Sequence, residues 1–122
     1  MWMVGPPGRT TVACNEREEI IGTANMYANR AGPGAHVASA SFMVATPARG
    51  DGIGRALVED AVDWARAAGF RAMQFNAVAA TNTAAVGLYE SLGFTMVGTV
   101  PEAFEHPEHG LVGLHVMHLR LG

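Results

Sequence analysis

The sequence predicts an α/β (α+β) fold of two helices and one central sheet. Three observations carry this. Short segments rich in β-branched and apolar residues recur between Gly, Pro and charged breaks, as strands do. Residues 52–68 repeat apolar side chains at three- and four-residue steps, as one face of a helix does. The order of the segments is strands, helix, strand, helix, strand, strand, which mixes both kinds around one sheet.

The elements follow in order. Residues 1–9 contain Gly5, Pro6, Pro7 and Gly8 and read as an irregular lead-in. Residues 10–15 read as a strand, 16–19 (Glu-Arg-Glu-Glu) as a tight charged turn, and 20–27 as the returning strand of a hairpin. Ala31-Gly32-Pro33-Gly34 breaks the chain before a third strand at 37–44, which Thr46 and Pro47 stop. In the first helix Ile53, Leu57, Ala61, Trp64, Ala65 and Ala68 share a face, and Gly69 stands where a helix stops. Residues 71–78 are predicted as a strand centred on Phe75. Residues 82–92 are a shorter helix ended by Gly93, and 94–100 a strand. Residues 101–110 are a loop with acidic and histidine residues, and 111–119 the last strand. Trp64, Phe70, Leu92 and Phe94 are the expected core aromatics and aliphatics.

Composition bounds the function. A chain of 122 residues fits a single domain, 1–122, with enough length to bury a core. Eight Lys plus Arg against eleven Asp plus Glu leave a formal charge of −3, the wrong sign for a nucleic-acid binder. No apolar run approaches the roughly 20 residues that cross a bilayer, and no secretion signal is visible, so a cytoplasmic protein is expected. Cys14 is the single cysteine, which excludes an internal disulfide and a cysteine metal site. His106 and His109 lack completing ligands, and His115 and His118 fall on opposite faces of a strand, so no metal is expected.

The segment with the most chemistry is Val44-Ala-Thr46-Pro-Ala-Arg49-Gly50-Asp51-Gly52-Ile53-Gly54-Arg55. A strand ends, a glycine-rich turn follows, and a helix begins. The first turn of a helix leaves backbone N–H groups unpaired, and its dipole adds partial positive charge there. Glycines let a phosphate come close without meeting a Cβ, and Arg49 and Arg55 can add charged hydrogen bonds. Arg55-Ala56 does not complete the Gly-Lys-Ser/Thr of a nucleotide-binding P-loop. Position 55 is not the glycine of a dinucleotide fingerprint. Arg49, Gly52 and Gly54 remain, in an Arg-x-x-Gly-x-Gly pattern.

With that pattern the sequence resembles the GNAT superfamily of N-acetyltransferases. A second block, Asn82-Thr-Ala-Ala-Val-Gly-Leu88-Tyr89-Glu-Ser-Leu92-Gly93-Phe94, is similar to the family's Asn-x-x-Ala-x-x-Leu-Tyr-x-x-x-Gly-Phe. The resemblance runs from about Thr11 to the end. It implies a sheet splayed between the third and fourth strands of this chain, with the pantetheine arm of acetyl-coenzyme A inserted there. Acetyl-coenzyme A would be the co-substrate, its pyrophosphate held by Arg49, Gly50, Asp51, Gly52, Ile53, Gly54 and Arg55. Phe42, Met43, Val44 and Thr46 would meet the arm through backbone, as in strand addition. Asn82 would touch the pantetheine, and Tyr89 would protonate the leaving thiolate. Asp51 stands where a basic residue is more usual. Asn82 also suits a helix N-cap, and Tyr89 a core ring with a surface hydroxyl.

The acceptor side is less determined. The third strand, Ala38-Ser39-Ala40-Ser41-Phe42-Met43, holds no carboxylate to serve as base. His36 is a lone candidate for that role. A narrower resemblance, through Ile21-Gly22-Thr23-Ala24, Asn29, the stretch from His36 to Phe42, Gln74-Phe75-Asn76 and Ala80-Thr81-Asn82, is to the branch that acetylates the proline analogue azetidine-2-carboxylate. It implies that Asn76 and Ser39 face a small-molecule amine. The family's first strand and first two helices are not found ahead of the hairpin, with Met1-Trp2-Met3-Val4 reading as the tail of the second. This predicts exposed apolar surface and a homodimer. The alternative to an enzyme is a degenerate module that binds acetyl-coenzyme A without turnover.

Overall fold

The structure is a computed structural model that describes residues 8–29, 32–44 and 52–122. Most of the lead-in, and Thr46, Arg49, Gly50 and Asp51, lie outside the described residues. The elements are β1 (Arg9–Cys14), β2 (Ile20–Ala28), a 3-10 turn at Gly32–Gly34, β3 (Val37–Val44), α1 (Ile53–Ala67), β4 (Ala72–Ala79), α2 (Thr83–Ser91), β5 (Thr95–His106) and β6 (Gly110–Arg120). The strands follow the order β1-β2-β3-β4-β6-β5 in a mixed sheet, as the α/β reading requires. The chain divides into two compact units, Met1–Met73 with Leu121–Gly122, and Gln74–Arg120.

In the first unit β1, β2 and β3 form an antiparallel meander. Asn15 builds the first turn, because its Oδ1 accepts from the N–H groups of Arg17 and Glu19. β3 pairs with β4 in parallel through Val37–Ala72 and Ala38–Met73, and among the described residues the ladder ends there. The β4-side edge of β3 from Ser39 to Val44 is therefore outside the ladder, where the sequence places the splay. Helix α1 lies on the face of β2 that carries Gly22. A Cβ at Gly22 would stand 3.0 Å from both Ile53 Cγ2 and Leu57 Cδ1. The helix buries Leu57, Val58, Ala61, Val62 and Ala65. Val58 and Val62 thus join the stripe read from the sequence, whereas Trp64 is only half-buried and stacks on Phe70 with ring centroids 5.2 Å apart. Burial of each Leu or Val side chain contributes roughly 1.5–3 kcal/mol. Gly69, at φ 87, ends α1 and donates to Arg66 C=O.

In the second unit Phe94 follows α2 and is buried, its N–H donating to the carbonyl of Tyr89. Leu92, expected in the core, is half-buried at the helix C-cap. The main correction concerns residues 101–110. They are not a loop: β5 continues to His106 and pairs with β6 as a long hairpin. Pro101 is tolerated because β5 is the outermost strand and one edge needs no N–H partner. The register shifts between Val100 and Phe104, and Glu102 takes φ 52 there. His106 closes the hairpin, its Nδ1 accepting from the N–H groups of Glu108 and His109.

Candidate functional site

The first unit supplies a strand end and a helix start. By alternation Phe42 and Val44 lie on the α1 side of β3, opposite Ala24 and Gly22 of β2. Met43 projects from the other face and is 70% exposed. Helix α1 opens at Gly52, which adopts φ 80, ψ 6 and offers no side chain to cap the helix. An L-residue avoids that conformation, so the chain needs glycine here. The Gly52 carbonyl accepts from Ala56 N–H, and Gly52 itself brings no side chain to cap the first turn. Among the described residues no heavy atom lies within 4 Å of a Cβ built at Gly52. The Ile53 side chain packs over Gly22, which leaves its backbone amide as the group it could offer an anion. Arg55 is half exposed and pairs loosely with Glu59, Nε to Oε1 3.8 Å. These residues fit a pyrophosphate by the physics of a helix N-terminus.

The second unit supplies a tyrosine in an aromatic cluster. The Tyr89 ring sits 4.7 Å from Phe75 and 5.8 Å from Phe94, and Phe75 stacks on Phe94 at 4.7 Å. Burial raises the Tyr89 pKa above its ordinary value of 10.0, because the phenolate is poorly solvated. At neutral pH the hydroxyl is therefore a proton donor. Among the described residues it has no hydrogen-bond partner. Asn82 caps α2: its Oδ1 accepts from the Ala85 amide at 3.2 Å. The capping role is thus present, and the Asn82 amide nitrogen remains for a ligand. Asn76 is exposed and its Oδ1 accepts from Gln74 Nε2 at 2.9 Å, on the face of β4 opposite Phe75.

Ser39 lies on the face of the first unit opposite α1 and is 3% exposed. It has polar neighbours that the sequence reading did not single out. Thr10 Oγ1 donates to Asn25 Oδ1 at 2.8 Å, and the Tyr27 and Ser41 hydroxyls are 3.0 Å apart. Their signal in the sequence is a period of two: Thr23, Asn25 and Tyr27 on one strand, Ser39 and Ser41 on the next. His36 is exposed at the start of β3, and its carbonyl accepts from Arg71 N–H. Among the described residues no three His, Cys, Asp or Glu gather as metal ligands, and no helix is long and apolar enough to cross a membrane.

Comparison with known proteins extends this. Residues 1–94 match the model of the acetyltransferase (GNAT) family. The chain is 31% identical over 97 residues to the N-acetyltransferase aca1 of Schizosaccharomyces pombe, covering 80% of this chain and 46% of that one. It superimposes on a GCN5-related N-acetyltransferase from Kribbella flavida with TM-score 0.94 and 65% identity, covering 99% of this chain and 72% of that one. A phosphinothricin acetyltransferase from Sinorhizobium meliloti, solved in complex with acetyl-CoA, matches with TM-score 0.85 and 28% identity, over 95% of this chain and 62% of that one. The chain spans less than half the length of the curated relatives it matches.

Proposed function

The chain belongs to the GNAT family of acetyltransferases, and from that premise we propose that it moves an acetyl group from acetyl-coenzyme A to the amine of a small molecule. The observation that carries the reading is the uncapped, left-handed Gly52 that opens α1 inside the Gly52-Ile53-Gly54-Arg55 motif. In this reading Arg49, Gly50, Asp51 and Arg55 join the amides of Ile53 and Gly54 around the pyrophosphate. Backbone of Phe42, Met43, Val44 and Thr46 holds the pantetheine arm, and Asn82 contacts it. Residues 1–122 act as one N-acetyltransferase domain.

Acetyl-coenzyme A supplies an activated thioester. The chain's residues position it and manage protons. The acceptor amine must be neutral to attack, so its proton passes to water or another base. A backbone N–H near Val44 would steady the negative charge on the carbonyl oxygen. The Tyr89 hydroxyl gives its proton to the departing sulfur, and burial supports this by keeping the phenol protonated. Asn76 and Ser39 face the acceptor. Within the family the narrower reading is an amino acid or proline analogue, on the residues that resemble the azetidine-2-carboxylate branch. The exposed apolar side chains of Val12 and Ile20 support self-association as a homodimer, which light scattering would read as a doubled mass.

Calorimetric titration with acetyl-coenzyme A tests the reading. Saturable binding at micromolar concentrations, on the order of −8 kcal/mol, is the expected result. Absence of binding would overturn it.

A further inference from the structure

We propose that His118 is the base that takes the proton of the acceptor amine. The inference rests on the acetyl-transfer reading above and adds a catalytic residue to it. His118, Gln74, Asn76 and Tyr89 all belong to the second unit.

Strand register decides which histidine can serve. Phe75 touches the Tyr89 ring and so marks the α2 side of β4, and its neighbours Gln74 and Asn76 point the other way. The hydrogen bond from Gln74 Nε2 to Asn76 Oδ1 joins two residues of that second face. On β6 a Cβ at Gly93, just after α2, would stand 3.4 Å from Leu119 Cδ1, so Leu119 lies on the α2 side. Alternation puts Met117 and His115 there too, and Val116 and His118 on the side of Asn76. Leu121 N–H donates to the Arg71 carbonyl, and counting inward along the two antiparallel strands brings His118 beside Gln74. On its other flank His118 stands opposite Thr95 of β5.

His118 is the group in this neighbourhood that can accept a proton near neutral pH. The Gln74 and Asn76 amides and the Thr95 hydroxyl are not bases in that range. Arg120, two residues on and on the same face, is already charged. β4 and β6 contain no carboxylate, and the glutamates of β5 lie at its far end, beyond Val100. His118 is half-buried, and among the described residues its ring makes no hydrogen bond, so both nitrogens remain for use. The other histidines of this unit are engaged elsewhere. His115 is on the Tyr89 side, its Nδ1 2.6 Å from Thr99 Oγ1. His106 spends Nδ1 on the hairpin tip, and the His109 ring rests against it at 4.5 Å.

Acid and base thus stand on opposite faces of the second unit, and His118 does not compete with sulfur for the Tyr89 proton. The acceptor arrives as an ammonium ion and gives one proton to a neutral His118 ring nitrogen. The freed lone pair forms the N–C bond, the C–S bond breaks, and its electron pair leaves on sulfur, which takes the Tyr89 proton. The second proton of the nitrogen returns through water to the Tyr89 phenolate, and His118 releases its own to solvent.

Steady-state kinetics with acetyl-coenzyme A tests the inference, with L-azetidine-2-carboxylate and L-proline in turn as acceptors. Wild-type kcat/KM for the acceptor is expected to fall as pH is lowered from about 8 to about 5, because a protonated imidazole is no base. His118→Gln should lower it at the upper pH by about a hundredfold or more and abolish the acid limb, with acetyl-coenzyme A affinity by calorimetry unchanged. His118→Ala should regain part of its activity with added imidazole, which a merely structural role would not give. His115→Gln, on the other face of the same strand, should keep the limb. Absence of acetyl-coenzyme A binding overturns the acetyl-transfer reading, and the inference with it. Binding without transfer to either amine overturns the inference. Where transfer occurs, a flat wild-type profile overturns it without any variant, as does a folded His118→Gln that keeps rate and limb, an imidazole-insensitive His118→Ala, or loss of the limb in His115→Gln.

Discussion

Phe75 and Tyr89 place their ring centroids 4.7 Å apart, tilted by 51°, so the tyrosine is held by its ring while its hydroxyl stays free of protein partners among the described residues. Ring and hydroxyl can therefore be separated experimentally. Tyr89→Phe keeps the packing and removes the proton donor. Turnover should fall by about a hundredfold or more, the usual range for a lost general acid, with acetyl-coenzyme A affinity nearly unchanged. Steady-state kinetics beside calorimetry reads both. Unchanged turnover would remove Tyr89 from the chemistry, and binding without any turnover in the wild type would favour the degenerate module.

The same residue gives a pH prediction. Burial raises the Tyr89 pKa above 10.0, so the folded state binds this proton more tightly than the unfolded state. The stabilisation is fully present below the ordinary phenol value and is lost as pH rises through the folded value. Melting temperature should therefore fall more steeply above about pH 10 in the wild type than in Tyr89→Phe. Parallel alkaline melting curves for the two proteins would refute this.

Gly52→Ala should destabilise the chain by about 1–2 kcal/mol, the cost of a side chain in the left-handed region. Among the described residues nothing stands within 4 Å of the new Cβ, so the penalty expected there is conformational. Acetyl-coenzyme A affinity should fall as well, because the added methyl crowds the anion. Chemical denaturation and calorimetry on one preparation measure the two effects.

Arg9 reaches both oxygens of Asp60, at 2.7 and 2.8 Å, while Thr11 adds a hydrogen bond to Oδ2 at 2.9 Å. This ties β1 to α1. The two charged side chains are 42% and 35% exposed, so solvent screens the pair. A double-mutant cycle with Arg9→Ala and Asp60→Ala should give a coupling of about 0.5–1 kcal/mol, smaller at high salt. A coupling near zero at low salt would make the contact incidental.

Much of the fold was legible because its signals are local. Gly69 and Gly93 take φ 87 and φ 100 at the helix ends, where the sequence alone placed stops. The first-turn glycines of α1 likewise announce themselves by type and spacing. What was missed depends on neighbours distant in sequence. Pro101 reads as a strand breaker unless β5 is known to be outermost, and sheet order is not a local property. Asn25 and Thr10 are fifteen residues apart and meet only through strand register. Ser39 follows from a family position, while Ser41, two residues on and on the same face, carries the hydrogen bond to Tyr27. Val58 and Val62 are buried beside the expected stripe, because α1 covers a wider surface than that stripe spans.

The outermost strand also bears on how the protein behaves in a crowded solution. A long bare edge invites a neighbour to zip on by backbone pairing, the first step toward fibrous aggregates. β5 interrupts that template midway. Pro101 offers no N–H, Glu102 turns the backbone at φ 52, and Glu105 adds negative charge farther along. A sister molecule can match only short stretches on either side, so the irregularity that disguised this strand as a loop also guards it against fibril growth.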